Sequence, residues 1–226
     1  NRISTNREVV ISMIHLSPQQ LEIVNSEIGS AIQVLASAGS GKTRVLTERV
    51  RYILKQTNNE GVIALTFTNK AAEEMQERLA DCDLAEEGAW IATIHSIAQR
   101  IIEQYGHTIG LPSELQIYDR DKDRMSVFMQ SLSDDGIDID EYLNVNNDKD
   151  KRSRERNLQG YLEGFTTIKR ELLNEDDTAE YFPDNPTFWK IYQDYQNALL
   201  NSGGIDYDDI LVYAHKLLLL QDWVGN

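Results

Sequence analysis

The sequence predicts an α/β protein built on a parallel sheet and followed by a long helical stretch. Short apolar runs alternate with amphipathic helical patterns three times between residues 31 and 105, which is typical of βαβ units. From residue 117 to about 202 only the helical periodicity continues. The net charge changes in the same region, from −3 over residues 1–110 to −12 over residues 111–226. We therefore expect three segments: an α/β domain over 1–116, a helical insertion over 117–202, and a return to the first domain over 203–226.

Composition restricts the class of protein. The 226 residues are 41% hydrophobic and 26% charged, which allows a sizeable buried core. Cys82 is the single cysteine, so an intramolecular disulfide is impossible and a cytoplasmic location is expected. The apolar run at residues 9–16 is far shorter than a membrane span of about 18 residues, so we expect no membrane partner. A net charge of −15 argues against nucleic-acid binding unless local contacts supply it.

The α/β part can be divided into elements in order. Ser17 is a good N-cap and Pro18 a good first residue for a helix that we expect to end at Gly29. The apolar run over 31–36 is predicted as a strand, and a helix follows from residue 42. Residues 62–67 and 90–93 are predicted as buried strands, each followed by a helix, over 70–80 and 94–105.

A loop of small residues, ASAGSGKT at positions 36–43, joins the first predicted strand to its helix. Gly39 and Gly41 allow the backbone N–H groups to converge on phosphate oxygens at the helix N-terminus. Lys42 can reach the β- and γ-phosphates, and the Thr43 hydroxyl can bind Mg²⁺. The alternative is a chance Gly/Ser-rich turn, which would not require the flanking strand and helix. The context favours a nucleotide site, although Ala36 stands where the general pattern has glycine.

Two further polar loops follow predicted strands, Phe67-Thr68-Asn69 and Thr93-Ile94-His95-Ser96. Ligands of parallel sheets bind at the carboxyl ends of strands, so the three loops together predict a shared site. Phe67 either completes the core or stacks on a nucleobase, and its position at a strand end favours stacking. His95 either caps its helix or contacts DNA.

The helical stretch predicts helices over 121–132 and 153–173, then a third that starts with Asn185 and Pro186 and ends at Gly203. A last helix is expected over 210–220. Residues 149–156 carry a net charge of +3, which is typical of a solvated helix face but also suits contacts with duplex DNA. The acidic residues Asp206, Asp208 and Asp209 could suggest a metal site, but at a helix start capping and the macrodipole are the simpler explanation.

Taken in order, these motifs resemble the N-terminal part of superfamily 1 DNA helicases of the UvrD/Rep/PcrA type. The resemblance covers most of residues 16–220 and rests on five runs: LSPQQ at 16–20, ASAGSGKTR at 36–44, FTNKAA at 67–72, TIHS at 93–96 and DYDD at 206–209.

The resemblance implies a fold: an α/β, RecA-like P-loop NTPase domain with a parallel sheet and an inserted all-helical subdomain. It implies ATP and Mg²⁺ as cofactors, with Gln20 reading adenine and Lys42 and Thr43 as catalytic and metal-binding residues. The nucleotide would contact Gln20, Ala36, Ser37, Ala38, Gly39, Ser40, Gly41, Lys42, Thr43 and Arg44. DNA would contact Phe67, Thr68, Asn69, Thr93, His95 and Ser96.

The activity implied is ATP-driven 3′→5′ movement along single-stranded DNA with unwinding of duplex DNA. The family's Walker B Asp-Glu pair, arginine fingers and second RecA-like domain do not occur in this sequence, so we expect the chain alone to be inactive. Two rival functions remain: a small-molecule P-loop kinase, and a non-catalytic DNA- or partner-binding module that uses nucleotide as a switch. Neither the kinase nor the switch would need an Asp-Glu pair after a further apolar strand.

Overall fold

The computed structural model describes residues 16–57, 61–80, 89–134, 136–138, 151–221 and 224, with no side chains described over 151–155. The chain forms two compact units, Asn1–Ile94 and His95–Asn226. This division follows backbone contacts, so the predicted segment boundaries at 116 and 202 stay predictions. Cys82 and the apolar run over 9–15 lie outside the described residues. No helix in the described part of the chain is both long and apolar enough to cross a membrane.

The first unit contains a small parallel sheet packed against helices. Its elements are α1 (Pro18–Val24), α2 (Lys42–Thr57), β1 (Val62–Thr66), α3 (Asn69–Leu79) and β2 (Ala89–Thr93). Strands β1 and β2 pair in parallel, with Thr66 opposite Thr93, which confirms the parallel arrangement for these two strands. The core residues are Val50, Leu54, Ala64, Ala72, Met75, Leu79 and Ile91.

The strand predicted over residues 31–36 is wrong. These residues adopt no regular structure, and the apolar side chains of Ile32, Val34 and Leu35 are exposed. An apolar run becomes a strand only when a neighbouring strand pairs with its backbone, and the parallel pair of the described first unit consists of β1 and β2.

Helix α1 ends earlier than predicted, at Val24 rather than near Gly29. The Arg49 guanidinium of α2 accounts for this end. It donates hydrogen bonds to the carbonyl oxygens of Val24 (2.8 Å) and Glu27 (2.9 Å) and also to that of Ser26. Carbonyl groups at and after a helix end have no partner within the helix. Here the Arg49 guanidinium donates three hydrogen bonds to them, so no further helical turn is needed to pair them.

Within its described residues the second unit combines six α-helices with a second short parallel pair. Helix α4 (Ile94–Tyr105) leads into it from the last residue of the first unit, and a 3₁₀ turn (Gly106–Ile109) ends that helix. The remaining elements are β3 (Gln116–Tyr118), α5 (Asp121–Asp134), α6 (Lys151–Glu171), α7 (Glu175–Tyr181), α8 (Phe188–Asn201), β4 (Gly204–Asp206) and α9 (Asp209–Leu220).

Strands β3 and β4 pair in parallel, with Ile117 opposite Ile205, and neither was predicted. Each has three residues, too few for a period-2 pattern to be recognised. Residues 117 and 118 belong to β3, so the first two positions of the stretch expected to be helical form a strand. Helices α5 to α8 thus form the connection between two neighbouring strands. An inserted all-helical subdomain remains a prediction.

The predicted helices over 121–132, 153–173 and 210–220 correspond to α5, α6 and α9. Helix α8 was predicted to begin at Asn185 and Pro186, but it begins at Phe188. The Asn185 side chain instead accepts a hydrogen bond from the Thr187 backbone N–H (3.3 Å) and another from its hydroxyl (3.0 Å). It therefore stabilises the turn before the helix, as Asn often does. Aromatic residues of α5, α6 and α8, including Phe128, Phe165 and Tyr195, fill the core here.

Candidate functional site

The loop over residues 36–43, which we call the phosphate loop, has the backbone that its glycines were predicted to allow. Gly39 and Gly41 have φ angles of +75° and +84°, in the left-handed region that side chains disfavour. Residues 36–40 are exposed. Helix α2 begins at Lys42, and the Val45 N–H donates to the Gly41 carbonyl over 3.0 Å. The loop therefore leads directly into a helix N-terminus, where unpaired N–H groups favour an anion.

Lys42 turns its ammonium back onto this loop. Its Nζ donates to the carbonyl oxygens of Ala36 (2.9 Å) and Ser37 (2.7 Å). Thr43 and Arg44 follow in the first turn of α2, both half-buried. The positive charge thus lies against the concave side of the loop, where phosphate oxygens could replace the two carbonyls as its partners.

Gln20 is held beside the same loop. Its amide oxygen accepts from the Ser17 N–H (2.9 Å), while the Ser17 hydroxyl accepts from the Gln20 N–H (3.2 Å), a complete capping box. The Gln20 Nε2 donates to the Ser40 carbonyl over 3.1 Å. A Cβ on Gly41 would lie 3.4 Å from that nitrogen. The structure therefore brings Gln20 to the phosphate loop, and its role with adenine stays a prediction.

Phe67 follows β1 directly and is fully exposed, so the interpretation of this residue as part of the core is wrong. The Thr68 hydroxyl accepts from the Ala71 N–H (3.2 Å) and caps α3, which begins at Asn69. Thr93 ends β2 opposite Thr66. Four of the six predicted DNA-binding residues, Phe67, Thr68, Asn69 and Thr93, therefore lie at one edge of the first unit's sheet.

The other two predicted DNA-binding residues begin the second unit. His95 and the exposed Ser96 lie in the first turn of α4. The His95 ring stacks on Tyr207, with centroids 4.4 Å apart and an angle of 13° between the planes. Sequence analysis treated Tyr207 only as part of an acidic run, so it missed this ring pair. Of the basic run at 149–156, only the Arg156 side chain is described, and it is exposed.

The acidic residues at 206–209 belong to a buried charge cluster that consists of Arg124, Lys169, Tyr195, Asp206 and Asp209. The Lys169 side chain is fully buried, and its Nζ lies 2.6 Å from Asp206 Oδ2 and 2.9 Å from Asp209 Oδ1. The Tyr195 hydroxyl donates to Asp206 over 2.6 Å. Arg124 approaches Asp206 to 3.5 Å.

The two carboxylates also cap each other's backbone. The Asp209 N–H donates to Asp206 Oδ1 over 3.1 Å, and the Asp206 N–H donates to Asp209 Oδ2 over 3.0 Å. Among the described residues no group of three or more His, Cys, Asp or Glu could hold a metal. The reciprocal bonds agree with the capping interpretation for Asp206 and Asp209, whereas their shared partner Lys169 was not expected and Asp208 bonds Thr166 and Arg170 instead.

Burial and charge shift the pKa values of these groups in opposite directions. Burial disfavours the ionised form of Asp206, but the Lys169 charge and the hydrogen bonds from Lys169 and Tyr195 outweigh it and lower the pKa. Burial dominates at Asp209 and raises its pKa despite Lys169. Burial, with Asp206 nearby, also raises the pKa of Tyr195. Asp206 is therefore the carboxylate that the cluster is built to keep ionised.

Sequence analysis missed Lys169 altogether, although a signal for it exists. In α6 the buried residues Leu158, Leu162, Phe165 and Ile168 follow a helical period. Lys169 is eleven residues after Leu158 and so lies on the same stripe. A lysine on an apolar stripe indicates either a partially exposed stem or a buried carboxylate partner.

With this geometry established, comparison with known proteins identifies the family. The profile of the UvrD/REP helicase N-terminal domain matches residues 16–226. The chain belongs to this family. It is similar to a probable DNA helicase II homolog of Mycoplasma capricolum, with 33% identity over 93% of this chain and 28% of that protein. It is also similar to DNA helicase II of Salmonella typhimurium (31% identity, 90% of this chain, 27% of that protein) and to ATP-dependent DNA helicase PcrA of Staphylococcus aureus (32%, 90% and 26%). The chain thus spans about a quarter of the length of these relatives.

The described residues fit the triphosphate part of the ATP that the family implies. Two glycines with positive φ, a lysine ammonium held against the loop and a helix N-terminus form a cradle for phosphates. For Mg²⁺ the cradle offers the Thr43 hydroxyl. Octahedral Mg²⁺ usually takes one or two carboxylates in addition, and the carboxylates of Asp206 and Asp209 are already bound by Lys169.

Proposed function

We propose that this chain is the nucleotide- and DNA-binding part of an ATP-dependent DNA helicase that translocates on single-stranded DNA. The observation that carries the proposal is the combination, in one unit, of the phosphate loop with a fully exposed phenylalanine at a strand's carboxyl end. The phosphate loop would bind the nucleotide that provides the energy, and the exposed aromatic ring would contact any base.

The nucleotide half of the proposal assigns a role to each residue of the loop. Backbone N–H groups over 36–41 would bind phosphate oxygens, Lys42 would neutralise charge on the transferred phosphoryl group, and Thr43 would hold Mg²⁺. Gln20, fixed by Ser17 and Ser40, would contact the adenine, and Arg44 would assist. ATP bound here would supply the phosphoanhydride bond whose hydrolysis drives movement.

The DNA half explains how an acidic chain can bind a polyanion. Phe67 would stack on a base, which suits a protein that must move over every sequence, because each base has a flat aromatic face. Thr68, Asn69, Thr93, His95 and Ser96 would donate hydrogen bonds to the backbone without requiring a positive surface. Movement from 3′ to 5′ and strand separation are part of the proposal and are supported by the family resemblance.

The exposed Phe67 also favours this function over the first rival, a small-molecule kinase. A small-molecule kinase has no use for an exposed aromatic ring beside its sheet. A switch module would bind nucleotide without fast hydrolysis, so a rate measurement separates it from a motor.

The test is hydrolysis of ATP by the natural protein that contains this chain, with and without oligo(dT). Hydrolysis should be stimulated by the DNA, and Lys42→Ala should lower kcat by at least about 100-fold, the usual cost of removing one preorganised charge-stabilising group. Lys55→Ala, in the last turn of α2, is the matched control and should change kcat by less than about two-fold, the effect of a surface charge. Equal hydrolysis by the wild type and Lys42→Ala would overturn the proposal.

A further inference from the structure

A cavity of about 460 Å³ in the second unit carries features that the proposed function has not used. Its volume lies in the range of small-ligand sites. Its lining includes His95, Tyr207, Asp208, Arg170, Leu211 and His215. The stacked pair of His95 and Tyr207 forms part of the wall, and Tyr207 remains 48% exposed within that stack. A third flat ring could therefore extend the stack.

The backbone that carries Tyr207 is held rigidly. Asp206 and Asp209, on either side of it, cap each other over 3.0 and 3.1 Å and share the buried Lys169. Asp208 accepts from the Thr166 hydroxyl over 3.0 Å. A ring fixed in this way loses little conformational freedom when a ligand stacks on it, which is what preorganisation contributes to affinity.

The charges around the cavity suit an anionic ligand better than the net charge of the chain suggests. Lys169 bonds both Asp206 and Asp209, and Arg124, which also pairs with Asp121, approaches Asp206. Arg170 bonds Asp208 through Nε over 3.3 Å, and its side chain is 69% exposed. Its two terminal nitrogens carry four further N–H donors, which suit phosphate oxygens.

We propose that Tyr207, stacked on His95, is a second base-binding platform for single-stranded DNA, with Arg170 binding the phosphate of the same nucleotide. The inference rests on the proposed function and adds a site to it, because it places one unpaired nucleotide in the second unit as well as at Phe67. Asp206, Asp209 and Lys169 are positioning residues that hold the platform in place.

The experiment uses the natural protein that contains this chain and a 20-residue oligo(dT) labelled with fluorescein. Tyr207→Leu should weaken binding roughly 5- to 150-fold, the loss of one stacked base. Tyr207→Phe keeps the ring and should bind within about two-fold of the wild type. Tyr181→Leu removes an exposed tyrosine from α7 and serves as the matched control, with no change in affinity expected. Equal affinity in Tyr207→Leu and the wild type overturns the inference.

A second measurement needs no variant at the platform. Ultraviolet irradiation of the wild-type complex with oligo(dT) containing 5-iododeoxyuridine should yield a crosslinked peptide that includes Tyr207. In addition, Arg170→Gln should reduce the slope of log affinity against log salt concentration by about 0.7, the contribution of one single-strand phosphate contact. Crosslinks confined to the peptide that contains Phe67, with an unchanged salt slope, would overturn the second site and leave the proposed function intact. Absence of oligo(dT) binding by the wild type would overturn the proposed function as well.

Discussion

The phosphate loop of the first unit and the buried charge cluster of the second use polar groups in opposite ways. The loop is exposed, and its conformation depends on glycines and on backbone hydrogen bonds within a few residues. The cluster is buried, and its members come from α5, α6, α8, β4 and α9. The loop's exposed groups remain available to a ligand, whereas most polar groups of the cluster bond one another, and Arg124 Nε is buried without a hydrogen-bond partner. We infer that the loop serves binding and the cluster serves the stability and rigidity of its unit.

Removing the central cation of the cluster should have the largest effect on stability. Lys169→Met leaves Asp206 and Asp209 as two buried carboxylates without their shared partner, which typically costs about 3–5 kcal/mol. Lys190→Met breaks the exposed pair with Asp194 on α8 and should cost less than about 1 kcal/mol. Urea-induced unfolding followed by circular dichroism measures both. If the two variants lose equal stability, the cluster does not hold the second unit together.

The two carboxylates of the cluster should differ in their effect on stability and in its pH dependence. The pKa of Asp206 is lower in the folded protein than in the unfolded chain, so its ionised form adds stability above about pH 4 that is lost as pH falls through the folded pKa. The pKa of Asp209 is raised, so its ionised form subtracts stability near neutral pH.

Asp206→Asn should therefore cost more stability than Asp209→Asn at pH 7, because only at Asp206 does the ionised form stabilise the folded protein. The difference in unfolding free energy between the two variants should become smaller below pH 4. Urea-induced unfolding at several pH values measures it. A gap that stays constant with pH would contradict the opposite pKa shifts.

Alanine in place of glycine should have effects of opposite sign in the two regions. Gly39 has a φ of +75°, whereas Gly160 lies inside α6 and has an ordinary helical backbone. A Cβ added to either glycine would meet no atom within 4 Å. Gly39→Ala should destabilise by about 1 kcal/mol because of the left-handed backbone, whereas Gly160→Ala should stabilise by about 0.5–1 kcal/mol. Thermal unfolding of the two variants measures the signs. If both variants lose the same amount of stability, the positive φ of Gly39 is not the reason that the loop needs a glycine.

The same comparison explains which features the sequence could predict. The capping box of Ser17 and Gln20, the loop with Gly39 and Gly41, and the helices with long apolar stripes depend on contacts within a few residues. Strands β3 and β4 and the partners of Lys169 depend on contacts between distant parts of the chain. The strand predicted over 31–36 is wrong for the same reason, since a strand is defined by its partner.

In the candidate site, too, features that depend on local contacts could be predicted and features that depend on distant contacts could not. The structure places Gln20 at the phosphate loop because Ser17 fixes it locally, and its contact with adenine stays a prediction. The structure shows that Phe67 is exposed to solvent. The sequence alone could only favour stacking on a base over burial in the core. His95 and Tyr207, whose rings stack, are 112 positions apart in the sequence. No local sequence pattern could therefore predict this contact.

The most direct test of the account measures single-stranded DNA affinity in two variants of the natural protein that contains this chain. The central claim is that the phosphate loop and Phe67 have separate tasks. Phe67→Ala should weaken oligo(dT) binding roughly 5- to 150-fold, the loss of one stacked base, without altering the fold, because its ring is fully exposed. Lys42→Ala should bind oligo(dT) within about two-fold of the wild type while its hydrolysis of ATP falls by at least about 100-fold. Undiminished oligo(dT) affinity in Phe67→Ala, or equal losses of affinity in both variants, would contradict the account.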